Sequence, residues 1–277
     1  MAKHEIGVVV ATRGRLFEVR AENGDRLLCE VRKKVKFEAD STPVVVGDDV
    51  LLSRSSTDRG AIEKVLERRT SFERPMVGVR EQKQVLAANL DRLAVVTSVK
   101  SPPLKTGLID RFLVAAHVGS MEPLVIINKI DLGPCDNLQE IIQVYQSVTH
   151  GVFVVSALCG TGLDALRVAL YNHRTLLAGH SGVGKSTLLN VLIPELNLKT
   201  REISSYSGRG KHATTNMQLF ELPTGGFVVD SPGLKVMGLW EVEKDELPHY
   251  YPEFGEFEHS CRFQPCSHLH EPDCAVK

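Results

Sequence analysis

Gly179-His180-Ser181-Gly182-Val183-Gly184-Lys185-Ser186 satisfies the phosphate-loop pattern G-x-x-x-x-G-K-[ST] at every fixed position. The chemistry requires these residue types. Glycines let the backbone close around an anion, so that successive N–H groups point at phosphate oxygens. Lys185 carries an ammonium to the β- and γ-phosphates, and Ser186 offers its hydroxyl to Mg²⁺, with Thr187 next to it. The flanks agree. Thr175-Leu176-Leu177-Ala178 reads as a short buried strand, and Ser186-Thr187-Leu188-Leu189-Asn190-Val191-Leu192 as a helix whose N-terminus faces the phosphates.

Outward from this stretch, the 277-residue chain is 43% hydrophobic and 24% charged, the composition of a globular protein of two or three domains. A formal net charge of −1 gives no bulk pull toward nucleic acid or membrane. No apolar run reaches about 18 residues, and Met1-Ala2-Lys3-His4-Glu5 carries no signal-peptide pattern. The expectation is a cytoplasmic protein without membrane partners. Three of the six cysteines fall in the last seventeen residues, which points to a metal more than to disulfides.

Residues 1–70 read as a small β-barrel, with an OB-fold as the leading type. Ile6–Val10, Leu16–Val19, Arg26–Val31 and Asp49–Leu52 are strand candidates, separated by turn signals at Glu22-Asn23-Gly24-Asp25 and Val46-Gly47-Asp48. Arg32-Lys33-Lys34-Val35-Lys36 is either a contact for an RNA backbone or a solvated edge protected by lysines. The barrel is only locally basic, with 14 Lys and Arg against 12 Asp and Glu in residues 1–70. Residues 71–88, with Pro75 and Gly78, read as a linker.

From residue 89 to 240 the pattern changes. Apolar runs at 93–99, 123–127, 152–155, 175–178 and 226–229 alternate with helical stretches near 107–118, 137–147, 163–171 and 186–196. Strands buried on both faces with helices between them predict a parallel sheet, which binds ligands at the carboxyl ends of its strands. Four of those ends carry patterns. Asn128-Lys129-Ile130-Asp131 is N-K-x-D. The Asp131 carboxylate can accept both the N1–H and the exocyclic N2 amine of guanine, a donor pair that adenine lacks. Asn128 and the stem of Lys129 support the base. Ser156-Ala157-Leu158 offers a backbone N–H to guanine O6, the phosphate loop follows, and Asp230-Ser231-Pro232-Gly233 is D-x-x-G. Asp230 holds Mg²⁺ through water, and the Gly233 N–H senses the γ-phosphate.

The order is unusual. Base-reading motifs at 128 and 156 precede the phosphate loop at 179, and D-x-x-G comes last, so this α/β domain is circularly permuted. Between phosphate loop and D-x-x-G, Tyr206-Ser207-Gly208-Arg209-Gly210-Lys211-His212-Ala213-Thr214-Thr215 suits a mobile first switch. Thr214, with Thr215 as rival, adds a hydroxyl to Mg²⁺. Leu234 follows D-x-x-G where a water-orienting glutamine stands in Ras-like enzymes, and His212 is the local candidate for that task.

In residues 241–277, Cys261, Cys266, His268 and Cys274 have the C-x₄-C-x-H-x₅-C spacing of a Cys₃His site for one structural Zn²⁺, with His270 as a rival ligand. A segment this poor in core gains most from a metal staple.

Together these motifs resemble the ribosome small-subunit-dependent GTPase A family, RsgA or YjeQ, over essentially the whole chain. The resemblance rests on Val46-Gly47-Asp48-Asp49-Val50, the permuted order, Gly208-Arg209-Gly210-Lys211-His212, Asp230-Ser231-Pro232-Gly233-Leu234 and the terminal Cys and His pattern. It implies a GTPase that hydrolyses GTP to GDP and phosphate with Mg²⁺, acts late in maturation of the small (30S) ribosomal subunit and is stimulated by it. It further implies a barrel on ribosomal RNA and a catalytic role for His212 beside Lys185, in a protein read as a monomer. Two departures stand out. Ala213 replaces the threonine that usually follows the histidine, and the sequence stops at Lys277, where the family pattern continues into a helical tail. The expectation is a truncated or short zinc-binding segment. An ATPase or small-molecule kinase is the rival reading, which N-K-x-D opposes, and an RNA-binding module with a structural nucleotide is another.

Overall fold

The structure, a computed structural model, describes residues 4–32, 44–75, 83–196, 217–230, 246–257, 260–263 and 266–277. The chain begins with β1 (His4–Arg13), β2 (Leu16–Ala21), β3 (Arg26–Val31), β4 (Asp49–Arg54) and β5 (Arg59–Val65). Their order is β1-β2-β3-β5-β4, and pairing of β1 with β4 closes the barrel. β3 and β5 run parallel, and all other barrel neighbours run antiparallel. The expected OB-type barrel is therefore present. β5 was not among the strand candidates, although its inward residues Gly60 and Ile62 alternate with outward ones as a half-buried strand requires. Val9, Val19, Leu27, Cys29, Val50, Leu52 and Ile62 fill the interior. Burial there pushes the Cys29 thiol up to about 11, which keeps it protonated and inert.

Residues 71–88, expected as a linker, contain a hairpin of β6 (Ser71–Pro75) and β7 (Lys83–Ala88). Its Phe72, Leu86 and Ala87 join the main core, so burial ties both strands to it.

The α/β domain follows as β8 (Arg92–Ser98), α1 (Thr106–Val118), β9 (Glu122–Asn128), α2 (Leu138–Val148), β10 (Val152–Val154), α3 (Leu163–Leu170), β11 (Arg174–Ala178), α4 (Lys185–Leu192), β12 (Gln218–Glu221) and β13 (Phe227–Asp230). The strand order is β10-β9-β8-β11-β13-β12. The first five are parallel as expected, and β12 is an antiparallel edge strand that the apolar-run reading missed. Alternate residues of β8 show why its sequence is apolar throughout. Leu93 and Val95 pack on the side of α1 and α2, whereas Ala94 and Val96 pack on the side of α3 and α4.

The barrel is fastened to this sheet. β1 pairs with β12 at Ala11 and Gln218, which covers the edge of the α/β sheet. Arg20 on β2 makes a bidentate pair with Glu221 on β12, at 2.8 and 2.6 Å, and lies over the Phe227 ring. Arg174, the first residue of β11, bonds both carboxylate oxygens of Asp49 at 2.7 and 3.2 Å, and the Gly47 carbonyl at 3.1 Å. Fully buried Asp48 accepts from Arg68 at 2.7 and 2.9 Å and from the Val45 N–H at 2.8 Å. Gly47 itself has φ +91°, and a Cβ there would stand 2.0 Å from the Ala88 carbonyl oxygen. The Val46-Gly47-Asp48-Asp49 turn is thus the joint between barrel and α/β domain.

Candidate functional site: a guanine-nucleotide cleft and a Cys₃His cluster

The predicted patterns lie at the carboxyl ends of neighbouring strands. Asn128 ends β9, the phosphate loop leaves β11, Ser156 follows β10, and Asp230 ends β13. Asn128 is 1% exposed and joins three loops. Its Nδ2 donates to the Val183 carbonyl of the phosphate loop at 2.9 Å. Its Oδ1 accepts from the Ala157 N–H at 3.0 Å. Its backbone carbonyl accepts from Val99 after β8 at 3.1 Å. Of the Ser156-Ala157-Leu158 segment, expected to offer a backbone N–H to guanine O6, the Ala157 N–H thus holds Asn128.

The phosphate loop takes the predicted form between β11 and α4. Gly184 caps α4 with φ +97°, and a Cβ at this position would lie 2.5 Å from Asn128 Nδ2. Only glycine permits the loop to approach Asn128 so closely. Gly179 and Val183 are buried, whereas His180, Ser181 and Gly182 are exposed in the loop and Ser186 and Thr187 are half-buried in the first turn of α4. Lys185 folds back over the loop, donating to the Gly179 and His180 carbonyls at 2.7 and 3.0 Å. Burial lowers its pKa below that of an ordinary lysine, and the charge of Asp230 opposes that shift. Asp230 is itself 5% exposed at the end of β13. An ammonium at the phosphate loop and a carboxylate at the end of the neighbouring strand β13 are thus the groups that a Mg²⁺-bound phosphate chain needs.

The base side is equally ordered. The buried Ser156 hydroxyl donates to Asp131 Oδ1 at 2.5 Å while accepting from the Cys159 N–H at 3.0 Å. Exposed Asp131 is thereby held by one oxygen, with the rest of its acceptor capacity facing outward. Lys129 donates to the Gly182 carbonyl at 2.6 Å and to the Ser101 carbonyl. Asn128, Lys129, Asp131, Ser156, Ala157 and the phosphate loop therefore converge as the motif order implied. His212, Thr214 and Gly233 lie outside the described residues.

The sequence reading passed over the turn after β8. Ser98 is fully buried, and its hydroxyl donates to the Pro102 carbonyl at 2.8 Å. The available signal was a polar Thr97-Ser98 pair at the carboxyl end of an otherwise apolar strand, where α/β sheets place ligand-facing groups.

At the C-terminal end, one ligand atom from each of Cys261, Cys266, His268 and Cys274 lies within 4.8 Å of the others. Cys261 Sγ and Cys274 Sγ stand 3.6 and 3.5 Å from His268 Nδ1, and 3.9 Å from each other. Ligands of a tetrahedral zinc with Zn–S bonds of about 2.3 Å are separated by about 3.8 Å, so the donor set and spacing fit that ion. His268, not His270, belongs to the cluster. No helix of the described residues is long and apolar enough to cross a membrane.

Comparison with known proteins gives the same answer over the whole chain. Residues 65–240 match the family model described as RsgA GTPase. A protein of Chlorobaculum parvum named small ribosomal subunit biogenesis GTPase RsgA is 38% identical over 279 aligned residues, covering 98% of this chain and 90% of the relative. Its namesake in Bacteroides fragilis strain YCH46 is 35% identical, covering 98% of this chain and 89% of the relative. Among solved structures, YjeQ from Thermotoga maritima superposes with a TM-score of 0.78 at 34% identity, over 99% of this chain and 90% of that one. YloQ, described as a circularly permuted GTPase, superposes with a TM-score of 0.72 at 26% identity, over 99% and 87%. The matches run over nearly the whole chain, and it belongs to the RsgA GTPase family, the GTP hydrolases its motif order pointed to.

Proposed function

We propose that this GTPase works on the small ribosomal subunit late in its maturation, binding it in the GTP state and leaving after hydrolysis to GDP and phosphate. The observation that carries the reading is the fastening of the barrel to β12 and β11. One of these strands follows the expected first switch, and the other runs into the phosphate loop. A surface held this way can respond to the nucleotide. The names of the relatives, which match over nearly the full chain, supply the partner.

In this reading Asp131 reads the guanine edge, with Ser156 fixing its orientation. Asn128 and Lys129 bind the base-reading loops to the phosphate loop. Ser186, Thr214 and Asp230 are the Mg²⁺ residues, and Gly233 senses the γ-phosphate. When bound, Mg²⁺ neutralises charge on the β- and γ-phosphates. Lys185 and the loop N–H groups stabilise the charge that builds on the transferred group. His212 orients the attacking water, and contact with the subunit completes that geometry. The barrel grips ribosomal RNA, the Cys₃His cluster holds one structural Zn²⁺, and the protein acts as a cytoplasmic monomer.

Three outcomes follow from these roles. Asp131→Asn replaces an acceptor with a donor, so GTP affinity should fall about ten- to hundredfold while xanthine nucleotides gain. Unchanged preference in a competition assay would remove Asp131 from base recognition. Metal analysis should find about one zinc per chain, lost in Cys274→Ser, and metal content that survives this change contradicts the cluster. Co-sedimentation with purified small subunits should retain the protein with a non-hydrolysable GTP analogue and release it with GDP. Equal retention with both would refute nucleotide-gated binding.

A further inference from the structure

The turn after β8 belongs to none of the recognised motifs, yet it touches the 128–132 loop directly and reaches the phosphate loop through Lys129. The buried Ser98 hydroxyl closes it by donating to the Pro102 carbonyl at 2.8 Å. The closed turn contacts the base-reading loop through Val99 N–H to the Asn128 carbonyl at 3.1 Å and Lys100 Nζ to the Leu132 carbonyl at 3.1 Å. It also presents the Ser101 carbonyl to Lys129 Nζ, which simultaneously bonds the Gly182 carbonyl of the phosphate loop at 2.6 Å. Both partners across this contact have left-handed backbones, Ser101 with φ +53° and Lys129 with φ +65°. Neither is glycine, and such conformations persist only where their surroundings over-determine them. Two of them face each other at the seam between base and phosphate subsites.

We propose that Ser98 is a positioning residue for guanine nucleotide, acting through the 98–102 turn to hold Lys129 in the place where it supports the base and braces the phosphate loop. This rests on the reading of Asn128–Asp131 as the base-binding loop. The physical logic is simple. Lys129 has a long flexible stem, and its ammonium is exposed. Fixing such a side chain costs rotamer freedom. A second carbonyl, that of Ser101, lies in the turn that the buried Ser98 hydroxyl closes at the next residue, Pro102, and lets the protein meet that cost before the nucleotide arrives. Loss of the pre-organised lysine should therefore appear in affinity and off-rate, not in the chemical step.

The test compares the full-length wild type with Ser98→Ala by equilibrium binding of a fluorescent GDP, alongside steady-state GTP hydrolysis. Ser98→Ala should weaken GDP binding about three- to tenfold, the range for one net hydrogen bond, and raise KM for GTP by a similar factor. It should leave kcat within about twofold, and without nucleotide it should lower the melting temperature by no more than about a few degrees, the cost of one buried hydrogen bond. In a Lys129→Met background, Ser98→Ala should add less than about twofold, because residues on one path are not additive. The exposed Lys100→Met change loosens the same turn without touching the core and should weaken binding about twofold. It keeps the test open if Ser98→Ala does not fold. Unchanged GDP affinity in the folded variants, or full additivity with Lys129→Met, would overturn the role of Ser98 while leaving the guanine site intact. Failure of the wild type to bind GDP would overturn both.

Discussion

Asn128 is the constraint on which the site depends. One buried amide donates to the phosphate loop and accepts from the loop that follows β10, and the asparagine's own carbonyl takes the N–H that follows β8. An amide buried this deeply has to satisfy both of its ends, so the three loops cannot drift apart without leaving a polar group unpaired. This matters more here than in an unpermuted domain. Chain connectivity places the base-reading loops before the phosphate loop, with α3 and β11 between them. The close approach of Gly184 to Asn128 Nδ2 makes the two halves a single cleft.

The second level of organisation is the joint between barrel and sheet. Arg174 sits at the start of β11, the strand that ends in the phosphate loop, and its guanidinium is held by Asp49 and Gly47 of the barrel turn. Arg20 reaches from the barrel to Glu221 on β12. These pairs are bidentate and partly buried, the geometry in which arginine contributes orientation as well as attraction. On the other side, Tyr145 of α2 donates to Asp110 of α1 at 2.6 Å. Burial, with Asp110 and Glu253 beside it, raises the pKa of Tyr251 in the C-terminal segment. The C-terminal segment packs against α1 through its short 3-10 turn at Leu247–Tyr250, and α1 is the helix that follows the 98–102 turn. Both outlying parts are attached to elements that begin or end at the nucleotide cleft.

Much of this was legible because the deciding signals are local. The phosphate loop needs its glycines and lysine in a row, N-K-x-D needs four residues after an apolar strand, and the cysteine spacing needs only fourteen residues at the end of the chain. What escaped the sequence depends on partners far away. Asp49 reads as an ordinary turn residue until Arg174 arrives, 125 positions later. β12 is only four residues long and gains its identity from neighbours on both sides, β13 and β1. The hairpin of β6 and β7 looked like a linker because its polar and arginine-rich character hid the few side chains, Phe72 above all, that enter the core. Ser98 is a single buried hydroxyl whose meaning appears only when Lys129 and Gly182 are seen at the same place.

In the proposed function, the guanine-nucleotide cleft is an incomplete catalyst that the small ribosomal subunit completes. GTP turnover at fixed Mg²⁺, measured alone, with purified small subunits and with purified large subunits, tests this most directly. The account predicts slow hydrolysis alone, strong stimulation by the small subunit and none by the large one. Equal rates in all three conditions, with GTP binding intact, would contradict it.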